Sequence, residues 1–271
     1  MAYTVIGARG FVGRHAVAAL ERLGEDYRTI DHGQPVPTDE PLGHVLYCAG
    51  ITADFRTRPH DCIEAHCCLI NRILKNADLE SLVYLSGTRL YLHSDSASES
   101  DMLGVNPNIP EDIYNISKLA GEAICLADPR PSVRVLRLSN VFGDDFESDN
   151  FFLSVLKDAV DHGRVLLGQA LDSAKDYVHV DDVVAAMLTL SGGGQHRVYN
   201  VASGANTSHG EIMDALAEAT GCSVEVTEGA QAYTFPPIDT TRIAAEMDWR
   251  PEPITRHVAA LVEAYREHRR G

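Results

Sequence analysis

Ile6-Gly7-Ala8-Arg9-Gly10-Phe11-Val12-Gly13 carries three glycines at G-x-x-G-x-x-G spacing, between an apolar run at Tyr3–Ile6 and a helical pattern at 12–23. Such a loop turns the chain within a few residues and lets the backbone approach a ligand closely. The helix it opens offers unpaired N–H groups and the positive end of its dipole to an anion. Asp31 stands eighteen residues past Gly13, at the end of a second apolar run, Tyr27–Ile30. An acid there accepts hydrogen bonds from ribose hydroxyls and repels a 2′-phosphate. Strand, glycine turn, helix and acid in this order form a dinucleotide-binding turn. The pattern places Gly7, Arg9, Gly10, Phe11, Val12 and Gly13 at a pyrophosphate. Asp31 favours NAD, whereas Arg9, Arg14 and Arg28 nearby keep NADP open.

The rhythm continues through the first 140 residues. Apolar runs at Tyr3–Ile6, Tyr27–Ile30, His44–Tyr47, Leu82–Leu85 and Val133–Leu138 alternate with helical patterns at 12–23, 60–76 and 112–127. Alternation of this kind predicts βαβ units and a doubly wound parallel sheet of Rossmann type, with helices on both faces. Val45-Leu46-Tyr47-Cys48-Ala49 lacks polar residues at alternate positions, as a strand covered on both sides does. A long loop at 92–110 interrupts the rhythm. Beyond Val141 the reading predicts helices at 150–162, 181–190, 208–220 and 255–269 and strands at 197–201 and 223–227. These divide the chain into a dinucleotide-binding domain, 1–140 and about 174–204, and a smaller α/β substrate lobe, about 141–173 and 205–271.

Composition narrows the partners. A net charge of −16 argues against nucleic acid and against an anionic membrane surface. No run of eighteen apolar residues suggests a membrane span, and the first residues enter a strand directly, leaving no room for a signal peptide. The six cysteines show no CxxC spacing and the twelve histidines no HxxxH or HExxH spacing. The expectation is therefore a cytoplasmic protein with reduced thiols and no metal.

The catalytic signal is Tyr114-Asn115-Ile116-Ser117-Lys118. Residues i and i+4 share a helix face, so phenol and ammonium point into one space, and a cation near a phenol lowers its pKa toward neutrality. Around the pair stand Val83-Tyr84-Leu85-Ser86-Gly87-Thr88-Arg89-Leu90-Tyr91, Arg137-Leu138-Ser139-Asn140-Val141-Phe142-Gly143, Lys175-Asp176-Tyr177-Val178-His179-Val180-Asp181-Asp182-Val183, Tyr199-Asn200-Val201-Ala202-Ser203-Gly204 and Asp248-Trp249-Arg250-Pro251. In order and spacing these blocks resemble the extended short-chain dehydrogenase/reductases, and among them the NAD-dependent epimerase/dehydratase family, over essentially the whole chain.

The resemblance implies roles. Tyr114 is the general acid/base, and Lys118 binds the nicotinamide ribose and lowers the phenol's pKa. Gly7, Gly10, Gly13 and Asp31 hold the dinucleotide, with Ala49-Gly50 passing beside it. Asn140 and Lys175 meet the phosphates of a nucleotide sugar. The family's Ser or Thr near the tyrosine is replaced by Gly87, so the hydroxyl falls to Thr88 or, second, to Ser86. Thr88-Arg89 also replaces the Asp-Glu pair of the sugar dehydratases, which argues against 4,6-dehydration. Lys175 stands where many members carry arginine. The acidic loop with Asp95, Glu99, Asp101 and Glu111 either borders the substrate or is solvated, and His93 within it is either a second acid/base or surface. Members often dimerise through two helices, here 60–76 and 112–127. The implied activity is an NAD(P)-dependent oxidoreductase or epimerase acting on a nucleotide sugar or ketosugar. The alternatives are a reductase of a non-sugar carbonyl compound and a non-catalytic NAD(P)-binding regulator.

Overall fold

The computed structural model describes every residue except Met1, Ala53 and Asp149. In the first half the chain runs through β1 (Tyr3–Ile6), α1 (Phe11–Leu23), β2 (Tyr27–Ile30), β3 (His44–Tyr47), α2 (Pro59–Ile63), α3 (Leu69–Asn76), β4 (Ser81–Gly87), α4 (Ile113–Ala127) and β5 (Val133–Leu138). A π-helical turn, Glu64–Cys68, joins α2 to α3, and a 3₁₀ turn, Thr88–Tyr91, follows β4. The second half contains β6 (Asn140–Phe142), α5 (Phe151–His162), β7 (Arg164–Leu167), β8 (Ala174–His179), α6 (Val180–Gly192), β9 (Val198–Val201), β10 (Asn206–Ser208), α7 (His209–Thr220), β11 (Ser223–Val226), α8 (Thr241–Glu246) and α9 (Val258–His268).

Six strands form one sheet in the order β2-β1-β3-β4-β5-β9, with every pairing parallel. This is the doubly wound Rossmann-type sheet that the alternation predicts. Because successive side chains of a strand face opposite ways, each strand feeds two cores. Val5, Leu46, Val83 and Leu136 pack under α1 and α6, joined by Ile243 of α8. Ile6, Val45, Tyr47, Leu82 and Tyr84 pack on the other face with Ile70 and Ile73 of α3 and Cys125 of α4. A third core joins Phe152 and Leu156 of α5, Val165 of β7, Ile212 and Leu216 of α7 and Val262 of α9.

Two small sheets carry the rest. In one, β8 pairs parallel with β6 and antiparallel with β10; in the other, β7 pairs with β11. The segment 174–179 thus stands outside the large sheet, while α6, which follows it, returns to cover that sheet. The elements that periodicity does not reveal are β6, β7, β8, β10 and α8, each only three to six residues long. So few residues give too few repeats to show a period. The expected helix at 255–269 opens instead with a 3₁₀ turn at Ile254–Arg256 before α9.

A buried polar chain ties the long loop to the sheet. Arg137 on β5 donates to both carboxylate oxygens of Glu122 on α4 and to the Tyr91 hydroxyl at 2.8 Å. Tyr91 donates to Asn200 Oδ1 at 2.8 Å, and Asn200 Nδ2 donates to the carbonyls of Ala97 and Asp239. Glu99 accepts the Asn200 N–H at 2.9 Å.

Candidate active site

The glycine turn is shaped by three different demands. Gly7 has φ +83°, and a Cβ there would sit 2.8 Å from the Ala49 nitrogen at the end of β3. A Cβ on Gly13 would collide with the Gly7 carbonyl, so this glycine lets α1 seat directly on the turn. Gly10 is open: a Cβ would meet only the Gly7 carbonyl oxygen, at 3.4 Å. Gly10 is also the N-cap of α1, with no side chain capping the helix and no acid in its first turn. The first-turn N–H groups of Phe11, Val12 and Gly13 are therefore left for a ligand, which is the donor set a pyrophosphate requires. At the end of β2, the carboxylate of Asp31 lies 3.3 Å from Nε of Arg9, whose side chain is otherwise exposed. The residues present fit a dinucleotide.

Ala49-Gly50 lies between the glycine turn and α4. A Cβ on Gly50 would stand 3.3 Å from both Lys118 Nζ and His66 Nε2. Lys118 is buried, donates to the Leu85 carbonyl at 2.8 Å and lies over the Tyr84 ring. Burial lowers its pKa to about 8, against the pull of Glu122. Tyr114 is likewise buried, and its pKa is pushed up to about 12 by desolvation, with the Arg89 guanidinium pulling it back. This differs from the sequence expectation in one respect. Lys118 turns its ammonium toward β4, and the cation acting on the phenol is Arg89. With such a value the hydroxyl is protonated at neutral pH and poised as a proton donor.

His66, which no sequence pattern singled out, braces this helix. It is wholly buried in the π-helical turn, a backbone irregularity often found at functional sites. Its Nε2 accepts the Ile51 N–H at 3.1 Å, so the ring proton belongs on Nδ1, which donates to Ser117 Oγ at 2.8 Å. Ser117 donates in turn to the Tyr114 carbonyl at 2.9 Å. The imidazole edge meets the Tyr114 ring at 5.7 Å between centroids, and burial lowers its pKa to about 2.

Beyond Tyr114 opens a cavity of about 600 Å³ at the carboxyl ends of β4 and β5, where open α/β sheets bind ligands. Tyr114, Thr88, Asn140 and Lys175 all line it. Ser86 does not, and its buried Oγ has no hydrogen-bond partner among the described residues. Gly87 does line it, and a Cβ there would stand 3.2 Å from the Tyr114 hydroxyl. Asn140 spends its Nδ2 on the Asp176 carbonyl at 2.8 Å. Asp176 is itself buried and accepts from Ser203 N, Ser203 Oγ and Gly204 N.

The acidic loop reaches the cavity through Leu92 and Ala97 rather than through its carboxylates. Asp101 accepts from Ser96 and Ser98, and Glu99 from Asn200. His93 Nε2 lies 3.6 Å from Asp112, away from the cavity lining. Walls without a sequence signature come from Phe55, Arg56, Gln169, Tyr233 and Phe235. Among the described residues, no group of three or more His, Cys, Asp or Glu side chains is placed to hold a metal ion, and no helix is long and apolar enough to cross a membrane.

The family model of the NAD dependent epimerase/dehydratase family matches residues 3–202. The chain belongs to this family. A dTDP-glucose 4,6-dehydratase of Streptomyces griseus is 31% identical over 201 residues, 70% of this chain and 60% of the relative. A GDP-6-deoxy-D-mannose reductase of Pseudomonas aeruginosa is 30% identical over 256 residues, 83% of this chain and 82% of the relative. The first of these matches thus spans less than two thirds of the relative's length. Among solved structures, MoeE5 in complex with UDP-glucose and NAD superposes with a TM-score of 0.80 at 22% identity, covering 99% of each chain. The fold is that of this NAD-dependent family throughout.

Proposed function

We propose that the chain is an NAD-dependent enzyme that oxidises, reduces or epimerises a carbinol centre of a nucleotide sugar. The observation that carries this reading is the convergence at one sheet edge of an uncapped glycine turn, a buried Tyr114/Lys118 pair and a cavity that Tyr114 itself lines. The dinucleotide, when bound, supplies the hydride acceptor or donor. Gly7, Gly10, Gly13, the first-turn N–H groups of α1 and Asp31 bind it, with Ala49 and Gly50 against its middle. Lys118 holds the ribose hydroxyls near the reactive end.

Tyr114 moves the proton: its hydroxyl, protonated at neutral pH, donates to the carbonyl oxygen during reduction, and oxidation, the reverse step, draws on the deprotonated fraction that grows as pH rises. Thr88 offers the second hydrogen bond to that oxygen, and Asn140 and Lys175 meet the diphosphate. The relatives' names span dehydration and reduction. Thr88-Arg89, in place of the dehydratases' acidic pair, favours redox or epimerisation chemistry here.

Replacing Tyr114 by Phe tests the reading. Turnover of a nucleotide-sugar panel should fall by about 10² to 10⁴, the usual worth of a general acid/base, while NAD affinity stays within about twofold. A second reading, a non-catalytic NAD-binding regulator, draws on the missing hydroxyl at Gly87. It prevails if the wild type turns over no sugar in the panel and Tyr114→Phe alters nothing measurable.

A further inference from the structure

Arg89 is, with Ser139 and Gln169, one of three cavity-lining side chains that hold a buried polar atom without a hydrogen-bond partner among the described residues, and of the three it is the charged one. It projects from the 3₁₀ turn after β4 and lines the same space as Tyr114. Its Cζ lies 5.8 Å from the centre of the Phe55 ring, and Phe55 packs 5.4 Å from the Tyr114 ring, so the guanidinium stands at the reactive end. Its Nε is buried and has no acceptor among the described residues. A buried donor left unmade costs free energy, and a native protein retains one where something absent completes it.

No protein group nearby plays that part. Arg56, Arg89 and Lys175 line the cavity against one carboxylate, Asp176. Asp176 already accepts three hydrogen bonds from Ser203 and Gly204. In a chain of net charge −16, cations outnumber acids in the lining of this cavity. Lys175 sits beside Asn140 and over the Phe151 ring, where the nucleotide's diphosphate is expected. Arg89 is then a surplus cation at the sugar end. A planar guanidinium fork pairs best with a carboxylate.

We propose that Arg89 selects for a carboxylate on the sugar, so that the substrate of this site is a nucleotide-linked uronic acid. The proposal rests on the nucleotide-sugar reading above. It names a specificity residue; the proton transfer remains with Tyr114.

The test compares UDP-glucuronic acid with UDP-glucose, which differ at the sugar's C6, on the full chain saturated with NAD. Binding is followed by calorimetry and turnover by KM and kcat. The wild type should bind the uronate about ten- to a hundredfold more tightly, as a charge-assisted hydrogen bond allows. Arg89→Met should erase that preference, raising KM for the uronate while changing UDP-glucose binding less than about threefold; Arg89→Lys should restore part of it. Equal affinity of the wild type for the two sugars overturns the proposal and leaves the nucleotide-sugar reading intact. An equal loss for both sugars in Arg89→Met also overturns it, since the arginine would then serve the diphosphate or the fold. Failure of both sugars to bind the wild type, with NAD bound normally, overturns the reading and the proposal together.

Discussion

The backbone of Gly87 forms the floor under the Tyr114 hydroxyl, with 3.2 Å between that oxygen and the place a Cβ would occupy. Glycine offers no side chain here to share the substrate oxygen with Tyr114, and the neighbouring hydroxyl that does line the cavity is Thr88. Thr88→Val should therefore lower kcat about tenfold, the worth of one hydrogen bond, with little change in NAD affinity. Gly87→Ala should also lower kcat, because the phenol must yield by a few tenths of an ångström, while Gly87→Ser should recover about tenfold over Gly87→Ala by supplying a hydroxyl. Steady-state kinetics on the three variants checks this. An unchanged kcat in Thr88→Val removes Thr88 from the chemistry.

Much of this arrangement is legible in the chain itself. Gly7, Gly13 and Asp31 are readable because sterics and charge at a βα turn leave few alternatives, and Tyr114 and Lys118 because a four-residue step fixes a shared helix face. Thr88 and Ser86 are open choices, since alternation along β4 puts both on the face opposite Gly87, and the 3₁₀ turn that carries Thr88 into the cavity has no periodic signature. Arg89 was visible as a departure, yet its lack of a partner depends on side chains far away in sequence. His66 was invisible for a similar reason: its partners, Ile51 and Ser117, lie fifteen and fifty-one residues away, and a π-helical turn leaves no mark in an apolar pattern. Phe55, Tyr233 and Phe235 come from loops whose path only tertiary packing decides.

We propose that Arg9 and Asp31 set cofactor choice between them. The carboxylate repels a 2′-phosphate while it holds the exposed guanidinium at 3.3 Å. Asp31→Asn removes the repulsion, frees Arg9 and weakens the ribose hydrogen bonds. NAD affinity should fall about tenfold and NADP affinity should rise, which fluorescence titration of both cofactors measures. Unchanged affinities for both would place Asp31 outside the site.

The Glu122–Arg137 pair is buried on both sides, with side-chain exposures of 3% and 6%. Glu122→Ala leaves the guanidinium desolvated with Tyr91 as its remaining hydrogen-bond partner among the described residues, and loss of one member of such a pair costs about 3–5 kcal/mol. Because Tyr91 continues through Asn200 to the loop at Ala97, the cavity wall should loosen as well. Urea unfolding should show the loss, and the double variant Glu122→Leu/Arg137→Met should regain most of it. A single variant as stable as the wild type would refute the pair's structural role.

His66 makes the fold sensitive to acid. An unfolded imidazole takes up a proton below about pH 6.5. In the folded chain burial holds the group neutral down to about 2. Between those values the unfolded state binds more protons, so stability falls as pH falls, by about 1.4 kcal/mol per unit below 6.5. At pH 5 the loss from this one residue is about 2 kcal/mol. His209, lowered to about 4 by burial and Lys175, adds a slope of the same sign, but it is present in wild type and variant alike and cancels in the difference. Urea titrations of wild type and His66→Gln from pH 7 to pH 5 should diverge, with the variant losing less stability. Parallel curves would mean that the imidazole is protonated in the folded state, and the hydrogen-bond chain from Ile51 through His66 to Ser117 could not then hold the tautomer assigned to it.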